Sequence, residues 1–198
     1  MIPIQFVYVA AVFSLAGIAS YVRDTLAGRA RPNRVTWLLW SLAPLIAFAA
    51  QIQEGVGLQA LLTFMIGFGP ALVLIASFVG RHASVRITRF DLGCASLSVV
   101  ALVAWRVTGQ GTVAIAFSLL ADLMAALPTL RKAYGEPHTE TWMAFLCSAI
   151  SALITMLTIS EWDFAVAAFP VYILVMSTAL FALVRFPHVR PSLATAQS

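Results

Sequence analysis

The polar residues of this chain fall in short clusters, and between them run long apolar stretches of similar length. A helix needs ~20 residues to cross the hydrocarbon core of a bilayer. Seven stretches approach that length: 3–21, 35–52, 57–79, 91–107, 112–130, 141–159 and 164–184. The fourth is the shortest and carries Cys94, Ser96 and Ser98. Arg-rich connections separate spans one from two and five from six, whereas Gln53 to Gly57 and Ser160 to Asp163 form short turns after spans two and six. The pattern predicts an all-α integral membrane protein with seven transmembrane helices.

Part of the pattern occurs twice. Phe13-Ser14-Leu15, Thr25-Leu26 and Pro32 with Thr36-Trp37 return as Phe117-Ser118-Leu119, Thr129-Leu130 and Pro137 with Thr141-Trp142. The spacing is 104 residues for the first two elements and 105 for the third, so one residue is inserted in the later connection. The repeat divides the chain into a first three-helix unit (1–80), a linker helix (81–110), a second three-helix unit (111–186) and a disordered cytoplasmic tail (187–198). The architecture is three plus one plus three. The extra span gives both units the same orientation, so they are parallel repeats about an axis along the membrane normal. Repeats of this kind place a binding site on the axis between their halves.

Composition narrows the class further. Hydrophobic residues make up 61% of the 198 and charged residues only 10%, with a mean hydropathy of +0.93. A soluble domain of this length has no core large enough for that much apolar surface. The net charge of +4 does not signal nucleic acid, because no basic helix or aromatic-basic module is present. Eleven of the twelve basic residues fall in alternate connections or the tail, and the other side keeps Arg106 with Glu54, Glu161 and Asp163. The positive-inside rule then places the N-terminus outside and the C-terminus in the cytoplasm of a bacterial-type inner membrane. Arg106 is expected to snorkel to the outer surface. No basic stretch precedes the first apolar run, so it is read as a helix and not as a secretory leader.

Chemistry-bearing residues are few. Cys94 and Cys147 lie inside spans with no evident partner, and His82, His138 and His188 all fall in the basic connections. No metal motif or cofactor is implied. Lys132, the only lysine, stands at the end of span five, where no retinal would be attached. No paired acid and base, nucleophile motif or metal cluster points to an enzyme.

Asp122 stands apart, since no other acid lies so far from a span end. An ionisable group at that depth costs roughly 2.5–3.5 kcal/mol on insertion scales and faces the bundle interior or a wet cavity. Ser118 one turn before it and Thr129 two turns after it continue a polar stripe. The matching residue of the first copy is Ile18, so the repeat is broken at this site. Two readings stay open: a group that handles a proton or substrate, or a protonated acid bonded to a neighbouring helix.

Pro44, Pro70, Pro128 and Pro170 fall inside spans, with Pro70 and Pro170 at comparable depths. They are either hinges of a rocking motion or simple tolerance of proline in lipid. Trp37 and Trp142 are expected in an interfacial aromatic belt, and Trp40, a turn deeper, reaches towards a central cavity. Tyr172, Met176 and Ser177 of span seven are further lining residues.

The run Pro128-Thr129-Leu130-Arg131-Lys132-Ala133-Tyr134, continued to Thr141-Trp142, resembles the signature of the PQ-loop proteins. There a Pro-Gln pair near a helix end leads into a basic loop and a Ser/Thr-rich start of the next helix. The seven-span layout is similar to that of the SWEET sugar transporters and of cystinosin-like exporters. Thr129 stands where the family has glutamine, Asp24-Thr25 stands at the pair in the first copy, and spans three and seven carry no asparagine such as lines the SWEET sugar site. The resemblance implies a SWEET-like transporter in which Asp122 matches the acid that cystinosin-like members use for proton coupling.

The function expected is transport of a small polar solute by alternating access, coupled to protons through Asp122. Bilayer, solute and protons are then the partners, with oligomerisation open. The alternative from another class is a non-transporting receptor or accessory protein that binds cargo or lipid on the same fold.

Overall fold

The computed structural model describes residues 1–79 and 107–186, with helical positions 89, 92, 93, 96, 99, 100 and 103 between them. Most of the expected fourth span lies outside the described residues, as do Cys94, Ser98, Arg106, His82, His188 and the tail from 187. Six helices make up the described fold: α1 (Phe6–Leu26), α2 (Arg34–Gln53), α3 (Ala60–Val79), α4 (Gly111–Gly135), α5 (Trp142–Leu157) and α6 (Phe164–Arg185). Among the described residues there is no strand. All but α5 are long and apolar enough to cross a membrane, and α5 is a shorter apolar helix of 16 residues.

The helix cores fall where the apolar runs place them, but two ends do not. α1 continues to Leu26 and α4 to Gly135, each five residues beyond the apolar run that predicts it. In α4 the helix passes through Pro128, which removes only its own N–H, and goes on through Leu130, Arg131, Lys132 and Ala133, all good helix formers. Arg131 and Lys132 are therefore helical residues, and the basic loop expected after Pro128 shrinks to a tight turn around Pro137–Thr139. Gly28, in the left-handed region at φ 73°, turns the chain after α1, and Asn33 then caps α2 by accepting a hydrogen bond from the Val35 amide (3.1 Å).

The packing treats the two triplets alike. α3 packs against both α1 and α2, α6 packs against both α4 and α5, and the triplets meet where α1 contacts α5 and α2 contacts α4. Exchanging α1 with α4, α2 with α5 and α3 with α6 maps these contacts onto themselves.

Hydrogen bonds fix the relative sense of the helices. The Arg31 amide donates to the Thr139 carbonyl (3.1 Å), which joins the α1–α2 and α4–α5 connections at one face. At the other face the Gly111 amide donates to Glu54 Oε1 (2.6 Å) and Gln51 Nε2 donates to the Ala165 carbonyl (2.7 Å). α1 and α4 therefore run in the same direction. Arg34 Nη2 donates to the Ser77 carbonyl (2.6 Å), so α3 ends at the first face while α4 begins at the second.

Small residues let the triplets approach closely. Ala43, Ala47 and Ala50 of α2 and Ala114, Ala121 and Ala125 of α4 are almost wholly buried, and these two helices pack against each other. A Cβ on Gly17 would lie 2.9 Å from the Cys147 Cβ, so α1 and α5 touch nearly backbone to backbone. The outward surface carries large apolar side chains such as Val12, Ile75, Phe78 and Val175, as a lipid-facing surface requires.

Candidate functional site

Between the six helices lies a cavity of about 110 Å³. Every helix contributes to its wall: Ser14 and Ile18 from α1, Trp37 and Trp40 from α2, Met65, Gly69 and Pro70 from α3, Asp122 from α4, Phe145 and Ser148 from α5, and Met176 and Ser177 from α6. This volume holds several waters, since one needs ~10–15 Å³ on the same measure. The wall narrows where Gly69 faces Ile18, because a Cβ on Gly69 would stand 2.6 Å from the Ile18 side chain. Asp122 and Ile18, matched across the repeat, thus line one cavity.

Asp122 is held from two sides. Its Oδ2 accepts a hydrogen bond from the Tyr172 hydroxyl of α6 (2.7 Å), and its backbone carbonyl accepts from Trp40 Nε1 of α2 (3.3 Å). The carboxyl is 3% exposed, and its Oδ1 has no hydrogen-bond partner among the described residues. A carboxylate in such a place has one donor where two or three would be needed to offset its lost hydration. A proton or a positive charge at Oδ1 would supply the missing partner.

Of the other residues singled out by sequence, Trp40, Ser177, Met176 and Pro70 are on the cavity wall, and Tyr172 is bonded to Asp122. Ser118 is buried one turn before Asp122, with a hydroxyl lacking a partner among the described residues, and is not on the wall. Thr129 is also buried and away from it. Pro44, Pro128 and Pro170 sit inside continuous helices and do not line the cavity.

Trp37 departs from expectation. It is buried, with its ring 4.4 Å from that of Tyr21 and 5.4 Å from that of Trp40. Its ring packs against Tyr21 of α1, so it belongs to the cavity wall and not to an interfacial belt. Trp142, in contrast, is partly exposed, with the Arg185 guanidinium 5.9 Å from its ring centre.

One cluster has no forerunner in the sequence reading. Glu140, in the α4–α5 turn, is 8% exposed. Its Oε2 accepts from the Tyr21 hydroxyl (2.6 Å) and its Oε1 from Lys132 Nζ (2.8 Å), while Lys132 also donates to the Arg31 carbonyl (2.5 Å). Beside it, Asp24 accepts from Arg29 Nη2 (2.6 Å) and from the Thr141 hydroxyl (3.1 Å). Tyr21 also lines the cavity, so this cluster sits directly behind one end of it. The available signal was the spacing of Lys132 and Glu140 on either side of a tight turn.

Among the described residues no three His, Cys, Asp or Glu side chains gather as a metal site requires, and Cys147 is a buried free thiol. No family model, curated protein or solved structure matches the chain.

Proposed function

We propose that this protein is a membrane transporter that moves a small polar solute by alternating access, with Asp122 as the group that couples movement to protons. The observation that carries the proposal is a lone buried carboxyl on the wall of a cavity shared by all six helices. Its charge costs roughly 2.5–3.5 kcal/mol at membrane depth, and a difference of that size biases a two-state equilibrium roughly a hundredfold. Protonation removes the cost and so shifts the balance between conformations open to opposite sides.

The exchangeable packing of the two triplets supports a parallel repeat, the architecture in which such a site lies on the pseudo-axis. α3 ends and α4 begins at opposite faces, which suits an odd number of crossings between them and hence the three-plus-one-plus-three layout. Arg23, Arg29, Arg31, Arg34, Arg131, Lys132 and Arg185 gather at the face of the α1–α2 and α4–α5 connections, in favour of that face being cytoplasmic in an inner membrane. The resemblance of residues 128–142 to the PQ-loop signature agrees with a SWEET-like transporter.

Reconstitution tests the proposal. Purified protein in liposomes is expected to take up labelled solute from a panel of amines, amino acids and sugars when a pH gradient is imposed, and Asp122→Asn is expected to remove the response to the gradient. Gradient-driven uptake that is the same in the variant rejects the proton role. No uptake across the panel, together with tight binding of a lipid or peptide, points instead to a receptor or accessory role.

A further inference from the structure

We infer that the central cavity selects a small organic cation, an alkylammonium without an anionic group, bound between Asp122 and the aromatic wall. The inference rests on reading the cavity as the solute site. Its first support is the charge inventory. Among the described residues Asp122 is the one charged side chain on the wall, and no Lys, Arg or His lines the cavity. A cation there meets a carboxyl whose Oδ1 has no partner among the described residues, whereas an anion meets no opposite charge.

The second support is independent of Asp122. Trp37, Trp40, Tyr21 and Phe145 supply the wall with aromatic rings from three helices. Aromatic rings attract ammonium groups through their quadrupoles, and cages of such rings are the common means of recognising quaternary ammonium. The same wall offers the rival solutes few polar partners, the Ser148 and Ser177 hydroxyls and Asp122 apart. The Tyr21 hydroxyl is committed to Glu140, the Trp40 N–H to the Asp122 carbonyl, and Ser14 to Ser151, with which it shares a hydrogen bond of 2.8 Å. A sugar would bury several hydroxyls against apolar surface with few partners, each at a cost. An amino acid would bring a carboxylate that no wall residue pairs.

Cation and proton then take turns on one carboxyl. The cation binds as the proton leaves to solvent, so the charge of the cavity is unchanged. Among the described residues the titratable groups around Asp122 are Tyr21 of α1 on the wall and Tyr172 of α6, bonded to the carboxyl, and the wall residues of α2, α3 and α5 do not titrate.

The test is binding to the full-length protein in detergent, read by tryptophan fluorescence and by thermal stability. The probes are tetramethylammonium, choline, the uncharged isostere of choline with carbon in place of nitrogen, betaine and glucose. Tetramethylammonium and choline are expected to bind saturably and raise Tm. The uncharged isostere should bind about tenfold more weakly or worse, a difference of ~1.4 kcal/mol, and betaine and glucose should not bind. Asp122→Asn should abolish the preference for charge. Equal binding of choline and its isostere overturns the inference without recourse to any variant, as does a total lack of ammonium binding. Choline that binds but is never taken up by liposomes sinks the transport reading and leaves this one standing. Gradient-driven uptake of an uncharged solute, with no ammonium bound, does the reverse.

Discussion

Thr141 donates its hydroxyl to Asp24 across the α1–α5 contact, at 3.1 Å. Its counterpart in the first copy, Thr36, is equally buried, yet its hydroxyl has no partner among the described residues. The reason is visible in the repeat, where Pro128 stands at the position that matches Asp24. The two halves share a scaffold while one of a pair of interactions has been dismantled. Thr141→Val is therefore expected to lower unfolding stability by about 1–2 kcal/mol, as befits a hydrogen bond to a charged group. Thr36→Val is expected to be neutral or stabilising, because it removes a buried hydroxyl that bonds to nothing. Equal losses in denaturant unfolding would show that the asymmetry is not real.

The Tyr172 to Asp122 bond is open to a double-mutant cycle. Tyr172→Phe alone should cost about 1–3 kcal/mol by leaving Oδ2 buried without a donor. In an Asp122→Leu background the same change should cost less than half as much, since no acceptor remains. Costs that add within about 0.5 kcal/mol would mean that the two groups do not interact.

Much of this arrangement is legible in the sequence, and the exceptions have physical causes. Helix centres follow from apolar runs that only lipid can solvate, and Asp122 stood out because a lone acid at that depth is costly. Helix ends depart from the apolar runs where charge begins before the helix stops. Hydropathy falls at Arg131, but the backbone continues to Gly135. Trp37 stands near a span end and so reads as interfacial, but its burial comes from Tyr21 of another helix, which no local pattern specifies. The Tyr172 to Asp122 pair spans 50 residues and the Tyr21 to Glu140 pair spans 119, and nothing local in the chain specifies either. Glu140 carries no signal in the sequence because its burial depends on Tyr21 and Lys132, which arrive from two helices.

The glycine contacts make a sharper claim about packing. A methyl group at Gly17 meets the Cys147 Cβ at 2.9 Å and the Ala144 carbonyl at 3.1 Å, and neither is able to swing aside. Gly17→Ala is expected to destabilise by about 1–3 kcal/mol through forced separation of α1 and α5. Gly135→Ala, with nothing within 4 Å, serves as the control and should be neutral or slightly stabilising. Gly69→Ala is an intermediate case, because the clash is with the mobile end of Ile18. Ile18→Ala should rescue it. Thermal unfolding of the three single variants and the double variant decides the matter, and a silent Gly17→Ala would contradict the close approach.

Glu140 ties together three parts of one face: Tyr21 on α1, Lys132 on α4 and, through Lys132, the Arg31 carbonyl of the α1–α2 connection. Alternating access requires any such knot to come apart when that face opens, so its strength should set the balance between open and closed forms. Tyr21→Phe keeps the ring on the cavity wall and deletes only the bond to Glu140. The change should cost about 1–3 kcal/mol by leaving a buried acceptor short of a donor, and that loss should favour the open form. Cys147 offers a reporter, being buried beside Gly17 where α1 meets α5. In a Cys94→Ser background, Tyr21→Phe is expected to speed maleimide labelling of Cys147 several-fold at a temperature where the fold is intact. Glu140→Gln should do the same, since it weakens the Lys132 link as well. Unchanged labelling in both variants would mean that the cluster is part of the static scaffold and that the face opens elsewhere, if it opens at all.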